Sequence, residues 1–205
     1  MEHKIKALIF DVGGVVIFYD HMIAAKKMSK VINVSPKRIF KVLSGRWNKH
    51  TVASDLGEPS RKYWKIVAKI LEVKKIPYKN FDNLWNTIFW PNKRIFPLLI
   101  KLRKEGYKIA CISNTNFTHI RYILKKYNLR KFFDVLVFSC DVKTRKPHPK
   151  IYKIALKRLN IKPEEAIFID DKHENVHGAE KLGINGIIFK SNKQTVKDLA
   201  KLGVK

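Results

Sequence analysis

The chain has 205 residues, 45% of them hydrophobic, with 43 Lys and Arg against 17 Asp and Glu, a net charge of +26. That length buries a sizeable core and suits one domain carrying a large insertion, and no apolar run approaches the ~20 residues that span a bilayer. The charge favours polyanions, but the basic residues are dispersed with no long block, which points to a Lys-rich surface rather than a nucleic-acid-binding arm and leaves only non-specific polyanion binding at low salt.

The N-terminal stretch from Ile5 to Val16, IKALIFDVGGVV, is an apolar run that meets a carboxylate at Asp11 and breaks at Gly13 and Gly14. It predicts a buried strand whose end carries Asp11 to solvent. The charge within the run and the lack of a small-residue cleavage site argue against a secretory signal, so a cytoplasmic location is expected. From about Asp20 to about Trp90 the pattern is helical with no convincing strand. Helices are expected around Ile23–Ile32, from Ser35-Pro36 through Leu43, from Glu58-Pro59-Ser60 through Leu71, and around Phe81–Phe89. Trp47, Trp64, Trp85 and Trp90 fall in this region, and the aromatic stripe reads as core.

From Pro97 onward, helices and strands alternate. Helices are expected at Leu98–Glu105, Thr118–Tyr127, Lys150–Leu159, Asn175–Leu182 and Thr195–Leu202. Strands are expected at Lys108–Ile112, Val135–Phe138, Ala166–Ile169 and Gly186–Phe189. This alternation predicts a Rossmann-like, doubly wound parallel α/β sheet. The predicted domains are a core of residues 1–17 and 92–205 and an inserted all-helical cap of residues 18–91. Cys111 and Cys140 lack the close spacing of a zinc or redox pair and read as buried thiols.

Three predicted strands end in polar residues: Asp11, Ser113-Asn114, and Asp170-Asp171. A loop between the last two carries Lys146. In a parallel sheet these ends share one edge and can converge. Carboxylates can hold Mg²⁺, a hydroxyl and helix-start amides can bind phosphoryl oxygens, a lysine adds positive charge, and one carboxylate is left as a nucleophile. Read singly, Ser113-Asn114 or an Asp of the pair would be a helix cap. Two adjacent acids after an apolar strand repel each other unless a cation is near.

In order, the segments FDVGGVV (Phe10–Val16), CISNTN (Cys111–Asn116), KPHPKIY (Lys146–Tyr152) and FIDDKHENVHGAEKLG (Phe168–Gly183) resemble the four motifs of the haloacid dehalogenase-like (HAD) hydrolase superfamily, in the branch with a helical cap after the first strand. The resemblance covers essentially the whole chain. It implies a Mg²⁺-dependent phosphatase acting on a small phosphorylated metabolite through an aspartyl-phosphate, as a monomer or homodimer with no specific nucleic-acid partner and no membrane. In that reading Asp11 is the nucleophile, and Ser113, Asn114 and Lys146 bind phosphate, with Ser113 and Lys146 also serving catalysis. Asp11, the Gly13 carbonyl and Asp171 hold the metal, and Asp170 is a second ligand or an orienting group. Asn175 reads as a cap or supporting group.

The chain departs from the family at Gly13, where most phosphatases of the superfamily carry an acid/base Asp. Such assistance is typically worth ~10²–10⁴-fold in rate. Tyr19, Asp20 or His50 could supply a donor, or the leaving group could depart unaided. Arg46, Trp47, Lys49 and His50 are candidate substrate contacts from the cap. The alternatives are a 2-haloacid dehalogenase-type hydrolase, against which the Asp170-Asp171 pair argues, and a catalytically weak HAD scaffold that binds nucleic acid or another polyanion. A phosphomutase would need the Asp that Gly13 replaces.

Overall fold

A computed structural model of the protein describes residues 4–44, 49–74 and 76–204. Its centre is a five-stranded sheet in the order β5-β4-β1-β6-β7, built from β1 (Ala7–Phe10), β4 (Lys108–Ser113), β5 (Val135–Phe138), β6 (Ala166–Asp170) and β7 (Asn185–Ile188). Every pairing in it is parallel. All four residues of β1 are buried, as an unbroken apolar run requires when both faces of a sheet are covered. On one face Leu8, Phe10, Ile109, Cys111, Ile167 and Ile169 pack with α6 (Ile95–Lys104), α7 (Phe117–Tyr127) and α11 (Asn192–Lys201). On the other, Ala7, Ile9, Ala110, Ile112 and Phe168 pack with α9 (Pro149–Leu159) and α10 (His173–Glu180). Alternate residues of each strand therefore feed opposite cores, as the two-residue period of a strand dictates.

After β1 the chain turns through Gly13 and Gly14 into β2 (Ile17–Tyr19), which pairs antiparallel with β3 (Phe89–Pro91). This two-stranded stem was not visible in the sequence, because three-residue strands carry no measurable alternation. Trp90 lies on it and is 43% exposed, so it does not belong to the aromatic core expected of it. Between β2 and β3 lie α1 (His21–Ile32), α2 (Pro36–Leu43), α3 (Lys49–Asp55), α4 (Ser60–Leu71) and α5 (Tyr78–Asn86). Local chemistry sets their starts: Asp20 accepts from the Met22 N–H and Ser35 from the Arg38 N–H ahead of Pro36, each filling an otherwise unpaired donor of a first turn. The sequence did not predict α3, whose residues KHTVASD show no apolar period, nor the short α8 (Ser139–Val142).

The helical layer has its own apolar core, including Met28, Ile39, Trp64, Val67, Phe81 and Trp85. Tyr63 and Trp85 stack at 4.9 Å, and Trp64 meets Phe81 and Trp85 edge-on. The Trp64 indole N–H donates to Asp82 at 2.7 Å, and Asp82 also accepts from Ser60 at 2.8 Å. The chain leaves the layer through the buried Asn92, whose side chain donates to the Val15 carbonyl at 2.8 Å. Among the described residues no helix is long and apolar enough to cross a membrane.

Trp64 fills the centre of the helical layer and satisfies its polar atom there. Trp64→Ala is expected to cost about 3–5 kcal/mol of stability, read from urea unfolding followed by circular dichroism. A loss under about 1 kcal/mol would contradict this packing.

Candidate active site

Strand register brings the predicted acids together. Phe10 is level with Cys111 on one side and with Ile169 on the other, so Asp11 and Asp170 leave adjoining strands side by side. Ser113 ends β4 on the other flank of β1. Lys146 reaches this edge from the loop before α9 and is 2% exposed. Its ammonium lies 2.7 Å from Asp11 Oδ1 and 2.6 Å from Asp170 Oδ2. Asp11 Oδ1 also accepts from the Val12 N–H at 2.7 Å.

Asp170 is wholly buried, and donors hold both its oxygens. Oδ1 accepts from the Lys172 N–H at 2.9 Å, and Asn175 Nδ2 lies 3.0 Å from each oxygen. Asn175 is thus a supporting group of this carboxylate. Asp171 completes a set of three acids, Asp11, Asp170 and Asp171, each with a carboxylate oxygen within 4.8 Å of the others'. A Cβ on Gly14, at φ +93°, would fall 2.8 Å from Asp171 Cγ. Only glycine lets the turn come this close to that acid.

The Asn114 side chain has a structural partner. Its Oδ1 accepts from the Lys146 N–H at 2.8 Å, and its Nδ2 donates to the Lys146 carbonyl at 3.0 Å. Both ends of this amide hold the lysine's backbone, so the side chain positions Lys146. Ser113 is buried and lines the same cavity as Asp11 and Lys146.

That cavity has a volume of about 370 Å³. Asp11, Gly13, Ser113, Arg145 and Lys146 line it, as do Tyr19, Phe40, Leu43, Asp55, Trp85, Phe89 and His119. Arg46 and Trp47, two predicted substrate contacts, lie outside the described residues. Lys49 and His50 are not in the lining. The same helix instead presents Thr51, Ser54 and Asp55, one turn further on. Asp55, Arg145 and His119 were not singled out from the sequence. Asp55 sits in a segment without periodicity, and Arg145 and His119 are single residues whose setting exists only in the fold.

Electrostatics follow burial. Burial pulls the Lys146 ammonium down, but the adjoining Asp11 and Asp170 carboxylates outweigh it and hold its pKa above the usual lysine range. Burial pushes Asp11 up, Lys146 opposes, and the Asp170 charge adds to the upward shift. Burial likewise raises Asp55 to about 6, against Arg145 and Lys172, with Arg145 Nη2 3.3 Å from its Oδ2. His119 lies edge-on to Trp85 at 4.3 Å and to Phe89 at 4.8 Å. Burial and the nearby His21 push it down to about 3, so its ring is neutral.

Comparison with known proteins bears on this site. Residues 5–183 match the haloacid dehalogenase-like hydrolase family. The chain is 30% identical to a phosphorylated carbohydrates phosphatase of Thermotoga maritima over 143 residues, 64% of this chain and 64% of the relative, and so spans just under two thirds of that protein. It is 26% identical to the pyrophosphatase PpaX of Bacillus mycoides over 88% of this chain and 81% of the relative. The fold matches a HAD family enzyme of Bacteroides thetaiotaomicron, crystallised in complex with magnesium and inorganic phosphate, with a TM-score of 0.77 and 26% identity over 92% of this chain and 96% of that one.

The setting of His119 makes stability depend on pH. An unfolded histidine binds a proton near pH 6.5, whereas the folded one resists it down to about 3. The unfolded state therefore holds more protons in this window, and stability present above pH 6.5 is lost as pH falls towards 3, by up to about 1.4 kcal/mol per pH unit. His119→Phe should show a smaller drop in urea midpoint between pH 7 and pH 4.5 than the wild type. Equal drops would contradict a neutral buried ring.

Proposed function

The chain belongs to the haloacid dehalogenase-like hydrolases, and from that premise we propose that it is a magnesium-dependent phosphatase of a small phosphorylated metabolite, working through an aspartyl-phosphate on Asp11. One observation carries this reading. The Lys146 ammonium is shared by Asp11 and Asp170 while Asp171 brings a third carboxylate within 4.8 Å. Carboxylate oxygens converging this closely form the kind of oxygen-rich set that a hard divalent ion takes as ligands. The names of the relatives support the substrate class, and the neighbour crystallised with magnesium and phosphate supports the metal.

Asp11, the carbonyl of Gly13 and Asp171 would hold a magnesium ion, which supplies charge that neutralises the phosphoryl oxygens. The saturation of Asp170 by Lys146, Lys172 and Asn175 supports an orienting role for it rather than direct ligation. The Asp11 carboxylate attacks phosphorus and forms the acyl phosphate while the ester P–O bond breaks and its electron pair leaves with the departing oxygen. The Ser113 hydroxyl and the Lys146 ammonium bind the oxygens of the transferring group, and Asn114 keeps Lys146 in position through its backbone. Water then attacks phosphorus and frees Asp11.

Residues 18–91 are read as a cap over a core of residues 1–17 and 92–205, supported by the separate apolar core of the helical layer and by the share of the cavity wall it contributes. Closing the cap would exclude bulk water and select the leaving group. The cavity volume suits a small metabolite.

Phosphate release from a panel of sugar phosphates, nucleotides and p-nitrophenyl phosphate tests this reading. Turnover of at least one substrate is expected with Mg²⁺, a fall to background in EDTA, and a fall to background in Asp11→Asn. Turnover that survives either EDTA or Asp11→Asn would overturn it.

A further inference from the structure

Gly13 leaves the nucleophile without an adjacent side-chain acid, and the space beside it is taken. A Cβ on Gly13 would come within 3.2 Å of the Tyr19 ring. The donors considered from the sequence fit poorly. The Asp20 carboxylate caps α1 through the Met22 N–H, His50 is outside the cavity lining, and the Tyr19 ring is packed over Gly13 and edge-on to His21 at 5.3 Å. A different acid faces the site. We infer that Asp55, at the end of α3, is the general acid and base that stands in for the side chain missing at position 13. This inference rests on the phosphatase reading of the site.

Asp55 lines the same cavity as Asp11, Gly13 and Ser113, and its side chain is only 14% exposed. The backbone around it is anchored to the core. The Ser139 hydroxyl donates to the Asp55 carbonyl at 2.6 Å and accepts from the Thr115 N–H at 2.9 Å, tying the end of α3 to the segments that follow β4 and β5. Arg145, next to the site lysine, holds Oδ2 at 3.3 Å, so the carboxyl group is oriented by the loop that also delivers Lys146. Arg145 and Lys172 act on the Asp55 carboxyl, and its charge in turn acts on the Tyr63 phenol. Burial outweighs the two cations and leaves the Asp55 carboxyl near 6, close to neutrality as acid–base catalysis requires. A phosphoryl dianion entering the cavity pushes it further up.

The proton inventory closes over one cycle. As an Asp11 oxygen bonds to phosphorus, the ester P–O bond breaks and its electron pair stays on the leaving oxygen. The neutral Asp55 carboxyl gives that oxygen its proton, and an alcohol departs. The Asp55 carboxylate then takes a proton from water as the water oxygen bonds to phosphorus. The bond between phosphorus and Asp11 breaks, its pair returns to Asp11, and phosphate leaves with Asp55 neutral again. Ester and water have become alcohol and phosphate.

The test compares a substrate whose leaving group needs no proton with one that does, using full-length enzyme loaded with Mg²⁺. In Asp55→Asn, kcat on glycerol phosphate should fall by ~10²–10⁴-fold. With p-nitrophenyl phosphate the first release should stay fast, giving a burst of p-nitrophenol of about one equivalent and a hydroxylamine-sensitive phosphoenzyme, because only water attack has lost its base. Asp55→Ala should show the same burst, with formate speeding the slow phase. Tyr19→Phe should show neither burst nor accumulation. The inference is overturned if both Asp55 variants lose the burst along with glycerol phosphate turnover, if they keep wild-type rates, or if Tyr19→Phe shows the burst. Activity that survives Asp11→Asn would instead remove the phosphatase reading, a result separable from any Asp55 outcome.

Discussion

One buried cation organises this protein. The Lys146 ammonium sits between Asp11 and Asp170 at hydrogen-bonding distance from both, at the edge of a sheet whose central strand β1 is wholly apolar. Two carboxylates on adjoining strands would repel each other without it. Breaking a buried pair of this kind leaves a charge with nothing to answer it, which costs far more than an exposed ion pair. Much of the surrounding polar chemistry serves that placement. Asn114 holds the lysine's backbone at both its N–H and its carbonyl, and Asn175 and the Lys172 amide hold the acid behind it. Asp171 brings its carboxylate within 4.8 Å of the same point, and this convergence links the fold to the proposed metal and to the proposed nucleophile.

The ends of the strands were legible in the sequence because they obey a strong physical rule. Short apolar runs bounded by polar and turn residues fit buried strands, and β1, β4 and β6 are such runs; the polar residues at their ends, Asp11, Ser113 and Asp170, are buried under the helical layer and the Lys146 loop rather than carried to solvent as expected. Parallel pairing then places Asp11, Ser113, Asp170 and Asp171 on one edge. Helix starts were legible for a similar reason: Ser35 before Pro36 satisfies first-turn donors whatever the tertiary context.

What could not be read depends on contacts between distant segments. The β2–β3 stem joins residues some 70 positions apart through only three pairs. The Asn114 side chain binds a backbone 32 residues away, a contact that no local pattern marks. Asp55 lies in a helix that packing stabilises and periodicity does not mark. Its importance comes from the Ser139 and Arg145 contacts, which exist only once the helical layer is seated on the sheet. The aromatic residues split by topology. Trp64 and Trp85 face inward from helices, while Trp90 faces outward from a strand, although all three fell in one stretch.

The central claim is that Asp11 carries the phosphoryl group and that a divalent ion completes the charge balance around Lys146. Fluorine NMR of the protein with beryllium fluoride, a mimic of an acyl phosphate, tests it most directly. Bound-fluoride resonances should appear in the wild type when Mg²⁺ is present, and should vanish both in EDTA and in Asp11→Asn. Resonances that persist in Asp11→Asn, or that form equally well without a divalent ion, would contradict the account.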